Sequence, residues 1–168
     1  VYNKMYSKCL RPLVNYRHER VSVLELRSDS YIILLINVYF PFYNTRDLNN
    51  HLNMYRETVG FIENIMHTNS HCKFIVLADF NCNIHGQSHS FSDMIKLMMQ
   101  KHDLTSCYSL HPDFDYQSAF TRCDMKTGSY TLIDGILISN SLASCVSNIR
   151  ISHFGNNLSD HMPVEIDL

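Results

Sequence analysis

The chain has 168 residues, a net charge of −2 and 45% hydrophobic positions, the make-up of a single domain able to bury a real core, since a chain of this size removes roughly two-thirds of its unfolded surface from water. A charged fraction of 18% excludes a disordered or highly charged tail protein. No run approaches the roughly 18 apolar residues of a membrane span, the longest candidate, Tyr31 to Phe40, being interrupted by Asn37.

In chain order, Val1 opens the sequence without a charged-then-apolar leader, so neither a signal nor a transit peptide is expected, and residues upstream are expected. Arg20 to Leu26 alternates Val21 and Val23 with Ser22 and predicts a strand. After a turn at Arg27–Ser30, the continuous β-branched run Tyr31 to Phe40 predicts a strand buried on both faces, ended by Pro41, which cannot donate to a ladder. From Arg46 to about His67, Leu48, Leu52, Tyr55, Val59, Ile62 and Met66 recur at helical spacing and predict a long amphipathic helix. Cys72 to Leu77 predicts a second buried strand, and Phe91, Met94, Ile95 and Met98 a second helix ending near Lys101. Gln117–Arg122, Tyr130–Ser139, Asn148–Phe154 and Met162–Leu168 read as strands, with a short helical candidate at Ser141–Val146. Strands outnumber helices, and the first buried strands have a helix between them. That pattern predicts an α+β or α/β layered sandwich in one domain, residues 1–168.

Six cysteines lie far apart with no C-x-x-C pair, which favours free thiols in a reducing compartment over disulfides or zinc. Residues 1–56 carry eight basic against four acidic side chains, a net of +4, and the remainder carries −6. A basic opening segment suits attraction of a polyanion and an acidic remainder suits a cation, although so small a split also arises by chance.

The informative positions are ionisable groups inside or just beyond apolar strands. Asp134 interrupts Leu132-Ile133-Asp134-Gly135-Ile136-Leu137, and a buried charge without a partner costs several kcal/mol, so it needs one. Asp79-Phe80-Asn81 follows Phe74 to Ala78 directly, and extended alternation puts Asp79 and Asn81 on one side with Phe80 opposite. Ser159-Asp160-His161 precedes the last strand, and Tyr39 ends the Ile32–Phe40 run. Singly, these read as a core pair, a turn, a cap and core packing. Together they are the materials for hydrolysing a phosphate ester with a divalent cation.

The order Asn37-Val38-Tyr39-Phe40-Pro41, Asp79-Phe80-Asn81, Thr131-Leu132-Ile133-Asp134 and Ser159-Asp160-His161-Met162-Pro163-Val164 resembles the endonuclease/exonuclease/phosphatase superfamily. Within it the chain is most similar to the apurinic-type endonuclease domain of non-LTR retrotransposons, over about Arg20 to Leu168. The resemblance implies a DNase I-like four-layer α/β sandwich, two packed mixed sheets flanked by helices, with its first strands absent. It implies Tyr39 against the scissile phosphate and Asp79 orienting or deprotonating the attacking water, steadied by Asn81. It also implies His161 held by Asp134 and donating to a phosphate oxygen, Asp160 binding the metal, and Thr131 and Ser118 lining the substrate groove. Mg²⁺ or Mn²⁺ is the implied cofactor, DNA the partner, a reverse transcriptase the neighbour in the same polyprotein, and the nucleus the place of action. Two departures stand against it: the family's metal-binding glutamate has no counterpart context at Glu19 or Glu25, and Ala78 stands where glycine is usual. The competing readings are a catalytically inactive binding remnant of the fold and a phosphatase or phosphodiesterase acting on small or lipid phosphates.

Overall fold

The structure, a computed structural model, describes residues 9–28, 30–153 and 158–168. In chain order the elements are β1 (Leu10–Pro12), β2 (Val21–Arg27), β3 (Ile32–Tyr39), α1 (Leu48–Thr68), β4 (Lys73–Asp79), α2 (Ser90–Lys101), β5 (Leu104–Ser106), β6 (Arg122–Asp124), β7 (Ser129–Thr131), β8 (Asp134–Ser139), β9 (Asn148–Ile151) and β10 (Val164–Asp167). Six strands form one mixed sheet in the order β1-β2-β3-β4-β8-β5, and β6–β7 and β9–β10 are two-stranded antiparallel pairs. Among the described residues only β3 and β4 run parallel in the large sheet, and α1 makes their crossover.

Period-two alternation decides what each face of this sheet carries. Leu34, Ile36 and Val38 of β3, with Phe74, Val76 and Ala78 of β4, pack with the buried face of α1 (Tyr55, Val59, Ile62, Ile65, Met66) and of α2 (Phe91, Ile95, Met98). The intervening Ile33 and Ile75 join Ile136, Ile138, Leu142 and Ile149 in a second cluster on the opposite face, with Ile151, Val164 and Ile166 packed against it. Each fully buried large side chain contributes roughly 1.5–3 kcal/mol. The expected sandwich is therefore the architecture found, and three of its layers, helices, large sheet and the β9–β10 pair, lie among the described residues. No helix among them is long and apolar enough to cross a membrane.

Both helices follow their predicted periods, and their ends have chemical causes. Asn44 accepts from the Arg46 N–H ahead of α1. Asn69 closes it by donating both its N–H and its Nδ2 to the Ile65 carbonyl. His89 caps α2 by accepting from the Phe91 N–H, while Ser92 Oγ accepts from the His89 N–H in return.

The structure redraws the second half of the chain. Residues 117–121 are not strand, and the predicted run Tyr130–Ser139 is broken into β7 and β8 at Leu132 and Ile133. The cause is Thr121, whose Oγ1 accepts from the N–H groups of both Ile133 and Asp134 and so withdraws them from a ladder. The helical candidate at Ser141–Val146 is a 3₁₀ segment, Asn140–Cys145. β1 and β5, three residues each, have no sequence signal of their own. Phe154, predicted as the end of a strand, and Asp29, in the predicted turn, lie outside the described residues. The six cysteines are free thiols.

Candidate active site

Ladder register brings the phenol and carboxylate groups into one row. Tyr39 pairs with Asp79 across β3 and β4, and Asp79 pairs with Asp134 across β4 and β8. Like charges directly opposite one another destabilise a sheet, so a carboxylate pair at this register needs positive charge or a hydrogen-bond donor nearby. His161 is one such group: its Nδ1 lies 2.9 and 3.1 Å from the two Asp134 carboxylate oxygens. A carboxylate only accepts, so the bonding hydrogen is on Nδ1. Ligand-type atoms of Asp79, Asp134 and His161 all lie within 4.8 Å of one another.

Burial, reinforced by the charge of Asp134 and partly offset by a hydrogen bond from the Asn81 N–H, pushes the Asp79 carboxyl up to about 6. The expected alternation at Asp79-Phe80-Asn81 holds for Asp79 and Phe80 but stops at Asn81, whose backbone leaves the extended conformation and whose side chain turns back to the end of β3 instead of lining the cleft with Asp79. Phe80 is buried on the helix side against Phe40, with ring centroids 5.8 Å apart, and its carbonyl accepts from the Tyr55 hydroxyl at 3.0 Å. Tyr55 in turn stacks between Phe40 and Phe91, so the aromatic centre of the core fixes the backbone between the two polar residues. Asn81 has φ +50, a left-handed conformation asparagine tolerates better than most residues. Its N–H donates to Asp79 Oδ1 at 2.9 Å and its Nδ2 to the Phe40 carbonyl at 2.8 Å, tying the ends of β3 and β4 together.

Asp134 is clamped through its main chain. Thr121 Oγ1 takes its N–H at 2.9 Å and the Tyr108 hydroxyl donates to its carbonyl at 3.0 Å. A Cβ at neighbouring Gly135 would meet Tyr108 Cε2 at 3.3 Å and Phe80 Cε2 at 3.4 Å, so any larger residue would press on the two rings, which would have to give by a few tenths of an ångström. The segment carrying His161 is laid against residues 121–123: the Met162 N–H donates to the Thr121 carbonyl at 2.6 Å and the Cys123 N–H to the Asp160 carbonyl at 2.8 Å. Thr121 therefore orients both halves of the Asp134–His161 pair. Sequence reading missed Thr121 and Tyr108 because each acts through another residue's backbone; the demand that Asp134 be satisfied was the only signal pointing towards them.

Tyr39, Asp79 and Asp134 open onto a cleft of about 340 Å³ that Asn37, Met162 and Val164 also line; His161 reaches Asp134 from outside that lining, and Asn81 lines a separate concavity with Tyr43 and Cys82. Tyr39 is half exposed in the cleft. The remaining candidates lie outside the cleft lining. Asp160 is an exposed residue whose Oδ2 accepts from Arg122 Nε at 3.1 Å, and this bond holds its carboxyl below the usual range. Ser118 Oγ donates to Asp115 Oδ2 at 2.6 Å in an exposed turn. Thr131 ends β7, its carbonyl accepting from the Thr121 N–H. Glu25 is buried between Arg11 and Arg27 rather than facing the cleft, and Glu19 is paired with Arg20.

No protein-family model matches the chain, and no curated protein is similar to it in sequence. Solved structures are similar. One is an AP endonuclease from Leishmania major, at 16% identity and a TM-score of 0.77, covering 99% of this chain and 63% of that one. Another is the 3′ phosphatase NExo from Neisseria bound to product DNA hairpin, at 20% identity and a TM-score of 0.67, covering 89% and 65%. A third is the endonuclease domain of TRAS1, a telomere-specific non-LTR retrotransposon, at 13% identity and a TM-score of 0.69, covering 92% and 64%. The chain has the DNase I-like fold. It spans a little under two-thirds of the length of these structures. Within the DNase I-like sheet of this chain, the Tyr39–Asp79–Asp134 row lies where parallel β3 and β4 end and antiparallel β8 begins.

Proposed function

We propose that this chain is the phosphodiester-cleaving domain of a DNA endonuclease, dependent on Mg²⁺ or Mn²⁺ and belonging to a retrotransposon polyprotein that acts on nuclear DNA beside a reverse transcriptase. The observation that carries the proposal is the paired register of Tyr39, Asp79 and Asp134 with His161 bonded to Asp134. Two opposed carboxylates, one with a raised pKa, have no structural benefit in a sheet and suit a site that handles a proton and a cation.

The donor set fits a hard divalent cation, being carboxylate-rich and free of cysteine. Asp79 and Asp134, together with Asp160 once it is released from Arg122, would be the oxygen donors for it, and such a cation would supply positive charge to the crowded phosphorus and the leaving oxygen. Asp79, poised near neutrality, orients the attacking water and takes its proton. Asn81 steadies Asp79 by donating its N–H to the carboxylate and ties the end of β4 to that of β3. His161, fixed by Asp134, donates a hydrogen bond as charge builds on a phosphate oxygen, and Tyr39 contacts the phosphate from the half-exposed end of β3. Thr131 and Ser118 are read as groove contacts to DNA.

Supercoiled plasmid tests the proposal. Nicking is expected with Mg²⁺, abolished by EDTA, and reduced 10²- to 10⁴-fold by His161→Ala. If His161→Ala nicks as well as the parent, the assignment to these residues is wrong; turnover of phosphomonoesters with intact plasmid would favour the small-substrate reading. A second reading, a DNA-binding module without turnover, is favoured by the Asp160–Arg122 ion pair and by the absence of Glu19 and Glu25 from the cleft lining. Retention of plasmid without nicking, in either metal, would select it.

A further inference from the structure

The loop that follows Asn81, residues 82–89, carries two histidines four positions apart, and the fold separates them. His89 caps α2, whereas His85 turns inward toward the end of β5. The His85 N–H donates to Asn83 Oδ1 at 2.9 Å, a local turn that fixes the backbone where the ring leaves the loop. None of the cleavage steps uses His85.

The imidazole joins two sides of the site. Its Nε2 lies 3.0 Å from the Oγ of Ser106, a residue only 1% exposed at the end of β5, where that strand pairs with β8. A hydroxyl both donates and accepts, so the bond forms with either neutral tautomer. The ring is tilted against Tyr116, with centroids 4.5 Å apart, and meets Tyr108 edge-on at 6.0 Å, while Phe114 stacks on Tyr108 at 4.4 Å. Burial, seconded by the charge of Lys96, pushes His85 down to about 4, so the ring is neutral near neutrality. Space among aromatic rings is filled as well by phenylalanine. What imidazole adds is a nitrogen for Ser106, whose buried hydroxyl has no other hydrogen-bond partner among the described residues.

We propose that His85 is a positioning residue for the Asp134–His161 pair, acting through Tyr108. Tyr108 stands two residues past Ser106 in the 3₁₀ segment Cys107–Leu110, and its hydroxyl donates to the Asp134 carbonyl at 3.0 Å. His85 holds this segment by two contacts, the hydrogen bond at Ser106 and the ring edge at Tyr108, and is itself carried on the chain that leaves β4 after Asp79 and Asn81. A change at His85 therefore moves the Tyr108 hydroxyl relative to Asp134 without touching any group in the cleft lining. A displacement of about 1 Å in a catalytic group costs up to about 10²-fold in rate, and Asp134 sets both the direction and the tautomer of His161. The inference rests on the reading of that pair as the group that stabilises charge on the phosphate, and adds what keeps the two in place.

The test combines plasmid-nicking kinetics with two-bond ¹H–¹⁵N spectra of the histidine rings in mildly alkaline buffer, which report which nitrogen of His161 bears the hydrogen. His85→Phe keeps a ring but leaves Ser106 without its partner. It is expected to lower kcat about 10-fold with KM changed less than about 2-fold, and to average the His161 nitrogens between the two tautomers. His85→Gln, whose side-chain amide can meet Ser106, should restore kcat to within about 3-fold of the parent and return the hydrogen to Nδ1. Tyr108→Phe, which removes the hydroxyl, should lose as much as His85→Phe, and the double variant no more than either, because the two act along one path. Melting curves establish that each variant is folded at the assay temperature; if His85→Phe is not, Ser106→Ala, which removes the other end of the bond, takes its place with the same expectations. A parental kcat in the folded variant, a loss confined to KM, additive losses in the double variant or an unmoved His161 spectrum would each overturn the assignment of His85 while leaving the nuclease reading standing. A parent that nicks no plasmid removes the nuclease reading, and the His161 spectrum then decides the positioning role by itself.

Discussion

At Asp79 the folded protein keeps a carboxyl that burial pushes up to about 6, against an ordinary value near 3.9. A raised folded value means that the group's contribution to stability is fully present below about pH 4 and is lost as pH rises through about 6. Asp79→Asn is therefore expected to stabilise the metal-free protein at pH 7 by on the order of 1 kcal/mol, discounting for its solvent-facing side. In urea melts the gain should vanish at pH 4, while nicking is lost at every pH. Thr121 is the opposite case, a residue whose loss costs stability and activity together. Thr121→Val leaves the buried N–H groups of Ile133 and Asp134 without their acceptor, a cost of about 2–4 kcal/mol. It should also release Asp134 from its orientation, so activity falls at least 10-fold in correctly folded protein; Thr121→Ser should restore most of both. Chemical denaturation paired with nicking rates checks the two variants, and a Val variant as active as the parent would remove Thr121 from the site.

Among the elements, the junction of β7 and β8 departs furthest from its sequence pattern. Leu132 to Ile138 is apolar enough to continue as one strand, yet it breaks because a hydroxyl 12 residues earlier captures two of its N–H groups. No periodicity within the segment carries that information. The same junction makes a steric prediction: Gly135→Val forces its Cβ against Tyr108 and Phe80, and overpacking of this kind costs typically 1–3 kcal/mol. Because Tyr108 also holds the Asp134 carbonyl, activity should fall further than stability alone explains, which a comparison of nicking rate with melting temperature measures. The long elements were legible for the converse reason. α1 and α2 carry their own period over 21 and 12 residues, whereas β1 and β5 exist only because a neighbouring strand offers an edge to pair with.

At the scale of the whole molecule, charge and layering combine. The helix-covered face is apolar throughout its core, and the opposite face ends in the carboxylate row, so a cation that binds the folded site but not the unfolded chain should raise the melting temperature. At 100 times its dissociation constant Mg²⁺ would stabilise by about 2.7 kcal/mol, roughly 5–10 °C for a domain of this size. The shift is expected in the parent and should be absent in a variant combining Asp79→Asn with Asp160→Asn. Equal shifts in the two proteins would mean that the cation binds elsewhere.

The sequence by itself determined the candidates for the site and the order in which they arrive: singly Tyr39, Asp79, Asn81, Asp134 and His161 read as packing, a turn, a core pair and a cap, and only their ordered combination at strand ends suggested phosphate chemistry. Periodicity likewise determined which faces of β3, β4, α1 and α2 are apolar. Tertiary structure alone decided that Asp79 and Asp134 stand opposite each other, that Thr121 and Tyr108 hold Asp134 by its backbone, and that Asp160 pairs with Arg122. Those are long-range pairings between groups 26 to 55 residues apart or joined through main-chain atoms, and strand register and backbone hydrogen bonds leave no mark on the identity of the residues they connect.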